Sequence, residues 1–404
     1  MAEDPWLTIV GLGEDGAAGL SPASRAALQT AEVVMGPPRH LALLSDLPDL
    51  TAERVAWPAP FADGLPTLLA LRGRRAVALA SGDPFWFGAG AVIARSLAPG
   101  EWRALPGPST FSLLAARLGW RLEETVCLGL HAAPLTRLRP HLAPGLRAAV
   151  LLRDGNGPAA LAAYLLSQGW PEARLTVLEA LGGPRERRRD GTAAAPPPGP
   201  FAAPLAVALA LDAATPGPAL PRASGLPDDV FDTDGQITKR PMRALALSAL
   251  APLPGERLWD IGAGSGSIAV EWLLSAPRTQ AVAVEPRADR AARIRRNADA
   301  LGADRLDVVQ GEAPGALSGL PPPEAVFIGG GLSAALLDAL RTRLSPGVRL
   351  VAHAVTLESE ALLAEAHARL GGDLMRVELA EAAPLGPRRG WRAAYPVVQW
   401  RTRL

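Results

Sequence analysis

Strand-like apolar runs alternate along almost the whole chain with stretches whose apolar residues recur every three or four positions. The runs predict strands over residues 7–12, 77–80, 148–152, 175–178 and 205–211, then 258–261, 280–284, 306–309, 325–328 and 349–352. The helical spacing between them predicts helices over, for example, 24–31, 111–118, 158–168 and 287–301. A parallel strand pair needs a crossover connection, usually a helix, so this alternation predicts α/β domains with largely parallel sheets.

The pattern breaks once. Residues 212–224 read DAATPGPALPRAS. Proline fixes φ and lacks a donor, so regular structure cannot pass through such a stretch. The expected organisation is a domain over residues 1–212, a linker over 213–224 and a second domain over 225–404. The Pro-Gly-Pro-Ser turn ending at Ser109 divides the first domain into expected lobes 1–108 and 109–212. Residues 193–200, rich in proline, read as a loop, and no internal repeat is visible.

Composition adds exclusions. A length of 404 residues suits two or three domains, and 49% hydrophobic residues supply their cores. Forty-one basic and 40 acidic residues leave a net charge of +1, against a protein built to grip nucleic acid. The single cysteine, Cys127, excludes an intrachain disulfide and a thiolate metal cluster. His40, His131, His141, His353 and His367 show no ligand spacing, so no metal is expected. His40, His141 and His367 read as surface or satisfied core residues. The acidic opening Met1-Ala2-Glu3-Asp4 lacks the basic start and apolar core of a signal peptide. The longest apolar run, residues 201–211, is too short to span a bilayer. A cytoplasmic protein without a membrane partner is expected.

Chemistry concentrates where predicted strands end. In the second half, Asp260-Ile261-Gly262-Ala263-Gly264-Ser265-Gly266 closes one strand and opens a helix. Glycines allow backbone to approach a ligand, and the helix start offers free N–H groups. Glu285 ends the next strand, at a distance suited to a carboxylate gripping two ribose hydroxyls. A nicotinamide-nucleotide motif, G-x-G-x-x-G, would place glycine at Ser267, and the observed spacing is G-x-G-x-G. Asp260 is placed to order the turn near the amino-acid end of S-adenosylmethionine (SAM). Gln310-Gly311-Glu312-Ala313-Pro314 follows a third strand and suits an adenine wall. Gly329-Gly330-Gly331 follows a fourth and leaves room for substrate.

These motifs, with Gly225-Leu226-Pro227-Asp228-Asp229-Val230-Phe231 and Gln236-Ile237-Thr238-Lys239-Arg240, resemble the decarboxylating precorrin methyltransferases of cobalamin biosynthesis. The resemblance covers residues 225–358. It implies a Rossmann-like class I SAM methyltransferase fold, methylation at C15 of the macrocycle and loss of carbon dioxide from the C12 acetate. It also implies SAM contacts from Thr238, the loop 262–266, Glu285 and Ala313. His353 departs from the asparagine or similar small polar residue expected there; a structural role is the plainer reading, a place facing substrate the other.

The first half places Gly11-Leu12-Gly13, Gly36-Pro37-Pro38-Arg39-His40, Ser81-Gly82-Asp83-Pro84 and Pro106-Gly107-Pro108-Ser109-Thr110 just after strand-like runs. Ligands of open α/β sheets bind there. The set resembles the two-lobed (class III) tetrapyrrole methyltransferases acting at C5 of a precorrin. The match covers residues 7–211. It implies SAM in a cleft walled by Gly82, Asp83, Ser109 and Thr110, with capping of the next turn the other reading of Asp83. Gly13-Glu14-Asp15-Gly16 and the His131 neighbourhood depart from the family pattern. They keep open a first half that binds without catalysing.

Together the halves resemble the precorrin C5,15-methyltransferase (decarboxylating) family. That implies two SAM sites per chain, a tetrapyrrole substrate, no metal and a homo-oligomer. The sulfonium methyl is already electrophilic, so the enzyme has mainly to align reactants and exclude water. No catalytic triad is visible, and no acid or base is assigned. Arg388, Arg389 and Arg392, read as a loop, are candidates for substrate carboxylates. Arg187-Arg188-Arg189 reads as a solvated loop. A SAM enzyme acting on RNA or protein and an NAD-linked oxidoreductase are the competing classes. Salt-dependent RNA binding would mark the first and NADH binding the second.

Overall fold

The computed structural model describes residues 5–47, 49–215 and 217–404. The acidic opening, residues 1–4, and Pro216 of the expected linker lie outside them. The chain forms two compact units. One comprises residues up to Leu135 together with Ala143–Pro218, the other Thr136–Leu142 together with Ala219–Leu404.

In the first unit, β1 (Leu7–Leu12), β2 (Val33–Gly36), β3 (Glu53–Ala56), β4 (Ala76–Ser81) and β5 (Trp102–Leu105) form one sheet in the order β3-β2-β4-β1-β5. All its pairings are parallel. The interior strand β1, between β4 and β5, is buried along its whole length, as a strand covered on both faces must be. A second sheet holds β6 (Val126–Gly129), β7 (Arg147–Leu151), β8 (Arg174–Glu179), β9 (Arg187–Thr192) and β10 (Leu205–Ala210) in the order β6-β7-β10-β8-β9. Only β6 and β7 pair in parallel; β10 runs antiparallel to β7 and β8, and β9 to β8. The expectation of largely parallel sheets therefore fails for this lobe. Between the sheets in sequence, Ser109 accepts the Ser112 N–H at 3.0 Å and caps the helix Thr110–Leu118. Phe111 and Leu114 of that helix pack with Ala149, Leu178, Ala206 and Ala208 of the second sheet.

The second unit contains β11 (Arg257–Ile261), β12 (Gln280–Glu285), β13 (Asp307–Gln310), β14 (Ala325–Ile328), β15 (Arg349–Ala354), β16 (Asp373–Val377), β17 (Ala380–Leu385), β18 (Arg388–Ala393) and β19 (Val397–Arg403). Seven form a sheet in the order β13-β12-β11-β14-β15-β19-β16, and β17 and β18 form a separate hairpin. The first five are parallel; β19 is antiparallel to β15 and β16. Chain order reverses between β11 and β14, which opens a crevice at their carboxyl ends. Trp272 and Phe327 fill the core on one face of the sheet, Trp259 and Trp400 on the other, all essentially fully buried. Burial of each such side chain contributes roughly 1.5–3 kcal/mol.

Every predicted strand is present, with ends shifted by at most two residues. Two arginine clusters read as loops are strands instead. Arg187, Arg188 and Arg189 open the edge strand β9, where Arg188 pairs with Asp190 at 3.0 Å and Arg189 with Glu179 at 3.3 Å. Arg388, Arg389 and Arg392 lie on β18. Both strands are too exposed and polar to show an apolar signal.

Candidate active sites

In the first unit a cavity of about 420 Å³ opens at the carboxyl ends of β1 and β4 and reaches the second lobe through Leu151, Leu178 and Ala206. Three glycines bring its loops together. A Cβ added to Gly11 would lie 1.9 Å from Gly82 O and 2.5 Å from Gly107 N. Gly82, at φ +51°, donates to Leu12 O at 3.0 Å and accepts from Gly107 N at 3.0 Å. Such contact is open only to residues without side chains. Gly82, Asp83, Ser109 and Thr110 all line this cavity. Asp83 also caps its turn, its Oδ1 accepting from Phe85 N at 2.8 Å.

Two further residues enter this wall on the short helix Pro38–Ala42, just after β2. Arg39 Nη2 donates to His40 Nε2 at 2.8 Å and to Ser81 Oγ at 3.1 Å. Arginine only donates, so Nε2 is the acceptor and the His40 proton sits on Nδ1. His40 is 2% exposed, and burial, with the Arg39 charge beside it, lowers its pKa to about 4. The imidazole is neutral. Arg39 also pairs with the buried Glu14, which is shared with Arg185 at 3.3 Å. His40 is thus a cavity residue and not a bystander. The sign available in the sequence was its place four residues beyond Gly36, but a four-residue strand was too short to call attention to it.

The second cavity, about 600 Å³, lies over the crevice between β11 and β14. Thr238, Asp260, Gly262, Ala263, Gly264, Glu285, Glu312 and Ala313 line it, with Gly329, Gly330, Gly331 and His353. Gly262, at φ +67°, packs so closely that an added Cβ would lie 2.6 Å from Gly330 N. Glu285 is 3% exposed; Oε2 accepts from Gly264 N at 2.9 Å and Oε1 from Arg287 N at 3.2 Å. Asp260 Oδ2 accepts from Ala269 N at 3.1 Å, while Oδ1 is buried without a partner. Burial, opposed by the Ala269 N–H and reinforced by the Glu285 charge, pushes Asp260 up to about 7.

Ser265 and Gly266 are not in this wall. Ser265 is buried, its carbonyl accepting from Asn297 Nδ2 at 2.8 Å. Gly266 caps the helix Ser267–Ser275 at φ +76°, where an added Cβ would meet Ile294 at 2.7 Å. They shape the loop from behind. Arg388, Arg389 and Arg392 do not line the cavity either.

Buried Arg243, unremarked in the sequence, binds the segment that carries Thr238. It pairs with Glu271 and donates to Thr238 O at 2.5 Å and Leu226 O at 2.5 Å. Glu271 also accepts from Gly225 N at 2.7 Å and Leu226 N at 2.9 Å. The segment carrying Thr238 is so held against the cavity.

The residues fit SAM. An unpartnered buried carboxylate oxygen suits an ammonium group, and Glu285 at the end of β12 suits ribose hydroxyls. A volume of about 600 Å³ is within the range of small-molecule sites.

Comparison with known proteins bears on both sites. A family model described as tetrapyrrole (corrin/porphyrin) methylases matches residues 6–197, and one described as a precorrin methyltransferase domain matches residues 229–404. A Sinorhizobium protein named precorrin-6Y C(5,15)-methyltransferase [decarboxylating] is 50% identical over 398 residues, 98% of this chain and 96% of its own. The chain belongs to that family. A Mycobacterium tuberculosis protein of the same name is 44% identical over 404 residues, 98% of each chain. The crystallised C-terminal domain of precorrin-6Y C5,15-methyltransferase from Rhodobacter capsulatus is 55% identical, at TM-score 0.45 covering 46% of this chain and 100% of its own.

Membership in the precorrin-6Y C5,15-methyltransferase family makes the chain an α/β methyltransferase with a class III half and a Rossmann-like half. Among the described residues no group of three His, Cys, Asp or Glu side chains is arranged to hold a metal. No helix among them is long and apolar enough to cross a membrane.

Proposed function

We propose that the chain binds SAM at both cavities and methylates one precorrin macrocycle twice, at C5 in the first unit and at C15 in the second. The second unit also removes carbon dioxide from the C12 acetate, and the overall conversion is precorrin-6B to precorrin-8x. The observation that carries this reading is the pair of separate cavities. Each stands at the carboxyl ends of parallel strands, and a different methyltransferase family model covers each.

Bound SAM supplies an electrophilic methyl group. This chain's residues hold and shield. In the second unit Asp260 would receive the ammonium, Glu285 the ribose, and Glu312 and Ala313 the adenine, leaving Gly329–Gly331 and His353 to the macrocycle. In the first unit Gly82, Asp83, Ser109 and Thr110 would hold SAM. Arg39, held by Glu14, His40 and Ser81, would meet a carboxylate of the macrocycle. Mass spectrometry after incubation with SAM and precorrin-6B tests the reading: two methyl groups gained and one carbon dioxide lost. A single methyl gain would leave one unit inactive, and Gly264→Val or Gly82→Val would tell which.

The same reading carries a homo-oligomer, a cytoplasmic location and no nucleic-acid partner. Sedimentation, fractionation and RNA-binding titration test these.

A further inference from the structure

The chemistry assigned above to the second unit has a proton to move. Loss of carbon dioxide breaks the bond between the C12 side-chain methylene and its carboxylate and leaves the electron pair in the conjugated ring. That pair reaches C15 and forms the new bond to the methyl carbon of the sulfonium donor, whose S–CH3 bond breaks with its electrons left on sulfur. One carboxylate charge and one sulfonium charge vanish together. C12 now carries an exocyclic methylene, and C15 carries both its hydrogen and the new methyl. Restoring conjugation takes a proton from C15 and gives one to the methylene, with none gained or lost overall. One neutral imidazole can do both in turn.

The sheet register puts an imidazole on the substrate side of the cavity. Asp260 pairs with Phe327, and Phe327 with Val351. His353 lies two residues beyond Val351, so it shares their face and stands nearer the carboxyl end. It lines the cavity on β15, while Glu285 and Glu312 follow β12 and β13 on the other side of β11. Its Nε2–H donates to Oε1 of Gln399, its register partner, at 2.9 Å, and its ring meets Phe327 edge-on, centroids 5.0 Å apart. Gln399 is itself buried. This fixes the ring plane and the tautomer, and Nδ1 keeps its lone pair, with no partner among the described residues.

We propose that His353 takes the C15 proton on Nδ1 and returns it to the C12 methylene carbon, with Gln399 as its positioning residue. This rests on the assignment of C15 chemistry to the second unit. Burial, opposed by the Gln399 contact, keeps the imidazole below its ordinary pKa, so it stands ready as a base. Among the other ionisable groups of the cavity, Glu285 is engaged by Gly264 and Arg287 and Arg290 by Asp234, while Asp260 binds Ala269 through Oδ2 and keeps Oδ1 for the ammonium assigned to it above. Lys239, Glu312 and Tyr395 are exposed at its rim.

The test uses the full chain with SAM and precorrin-6B, comparing H353A and H353Q with the parent. SAM binding by calorimetry is expected to be unchanged, and C5 methylation reports that the protein is intact. Formation of the finished C15-methylated chromophore falls about 10²–10⁴-fold. In its place a species accumulates with both methyl groups gained and one carbon dioxide lost, the mass of the finished product but with the absorption of a less conjugated isomer. Added imidazole speeds its conversion in H353A. Finished chromophore at the parent's rate from either variant overturns the proposal. So does loss of SAM binding with loss of activity, which would make His353 structural. If a Gly264→Val variant still decarboxylates and methylates C15, the assignment of that chemistry to this unit fails instead.

Discussion

Glu285 Oε2 accepts the backbone N–H of Gly264 at 2.9 Å, so the end of β12 and the glycine loop after β11 are tied at one atom. The carboxylate that would grip SAM is also what holds the loop against it. Hydrogen bonds to a charged group contribute about 1.5–3 kcal/mol. Glu285→Ala is therefore expected to weaken SAM binding at the second site about 10–100-fold, at 1.4 kcal/mol per tenfold. Calorimetry on the full chain should show one of two binding events weakened and the other kept.

Asp260 is expected to make SAM binding at the second site depend on pH. Its carboxyl titrates at about 7, and a cationic ammonium favours the ionised form. Affinity should fall as pH drops below about 7, and Asp260→Asn should remove that dependence at the cost of affinity. In the absence of SAM the stability effect has the opposite sense. The folded pKa lies above the ordinary value of 3.8, so the native state holds the extra proton and stability declines as pH rises from about 4 to about 7. Melting temperatures of the parent and Asp260→Asn across that range check it.

His40 should act in the reverse direction in the first unit. Its pKa falls from 6.5 to about 4 on folding, so the unfolded chain binds the proton first. Stability present above pH 6.5 is lost as pH falls towards 4. His40→Gln should flatten this acid limb in a melting series, without altering the pH response assigned to Asp260.

Gly11→Ala is expected to cost the first site its shape. The new Cβ would lie 1.9 Å from Gly82 O and 2.5 Å from Gly107 N, neither of which is a flexible side chain. Strain of this kind typically costs about 1–3 kcal/mol or more. C5 methylation should be lost with C15 methylation retained, read as a single methyl gain with carbon dioxide still released.

The sequence by itself determined the buried architecture and most of the second site. Strands such as Leu7–Leu12 and Ala325–Ile328 are buried throughout, so their apolar runs carry the whole signal. Asp260 and Glu285 lie at the ends of such strands and Gly262 and Gly264 follow one directly, so spacing along the chain predicts spacing in space. The tertiary structure decided what depends on neighbours distant in sequence. The exposed strands β9, β17 and β18 are held by pairing to a partner strand and show no apolar period. Ser265 and Gly266 belong to the motif but turn away from the cavity, because the helix start directs their backbone towards Asn297 and Ile294. His40 read in the sequence as a surface or satisfied core residue, and His353 as a departure with a structural or a substrate-facing place. Ser81 and Arg39 around one, and Gln399 across the sheet from the other, fix their protons and their places, and pairing between strands is what brings those partners there.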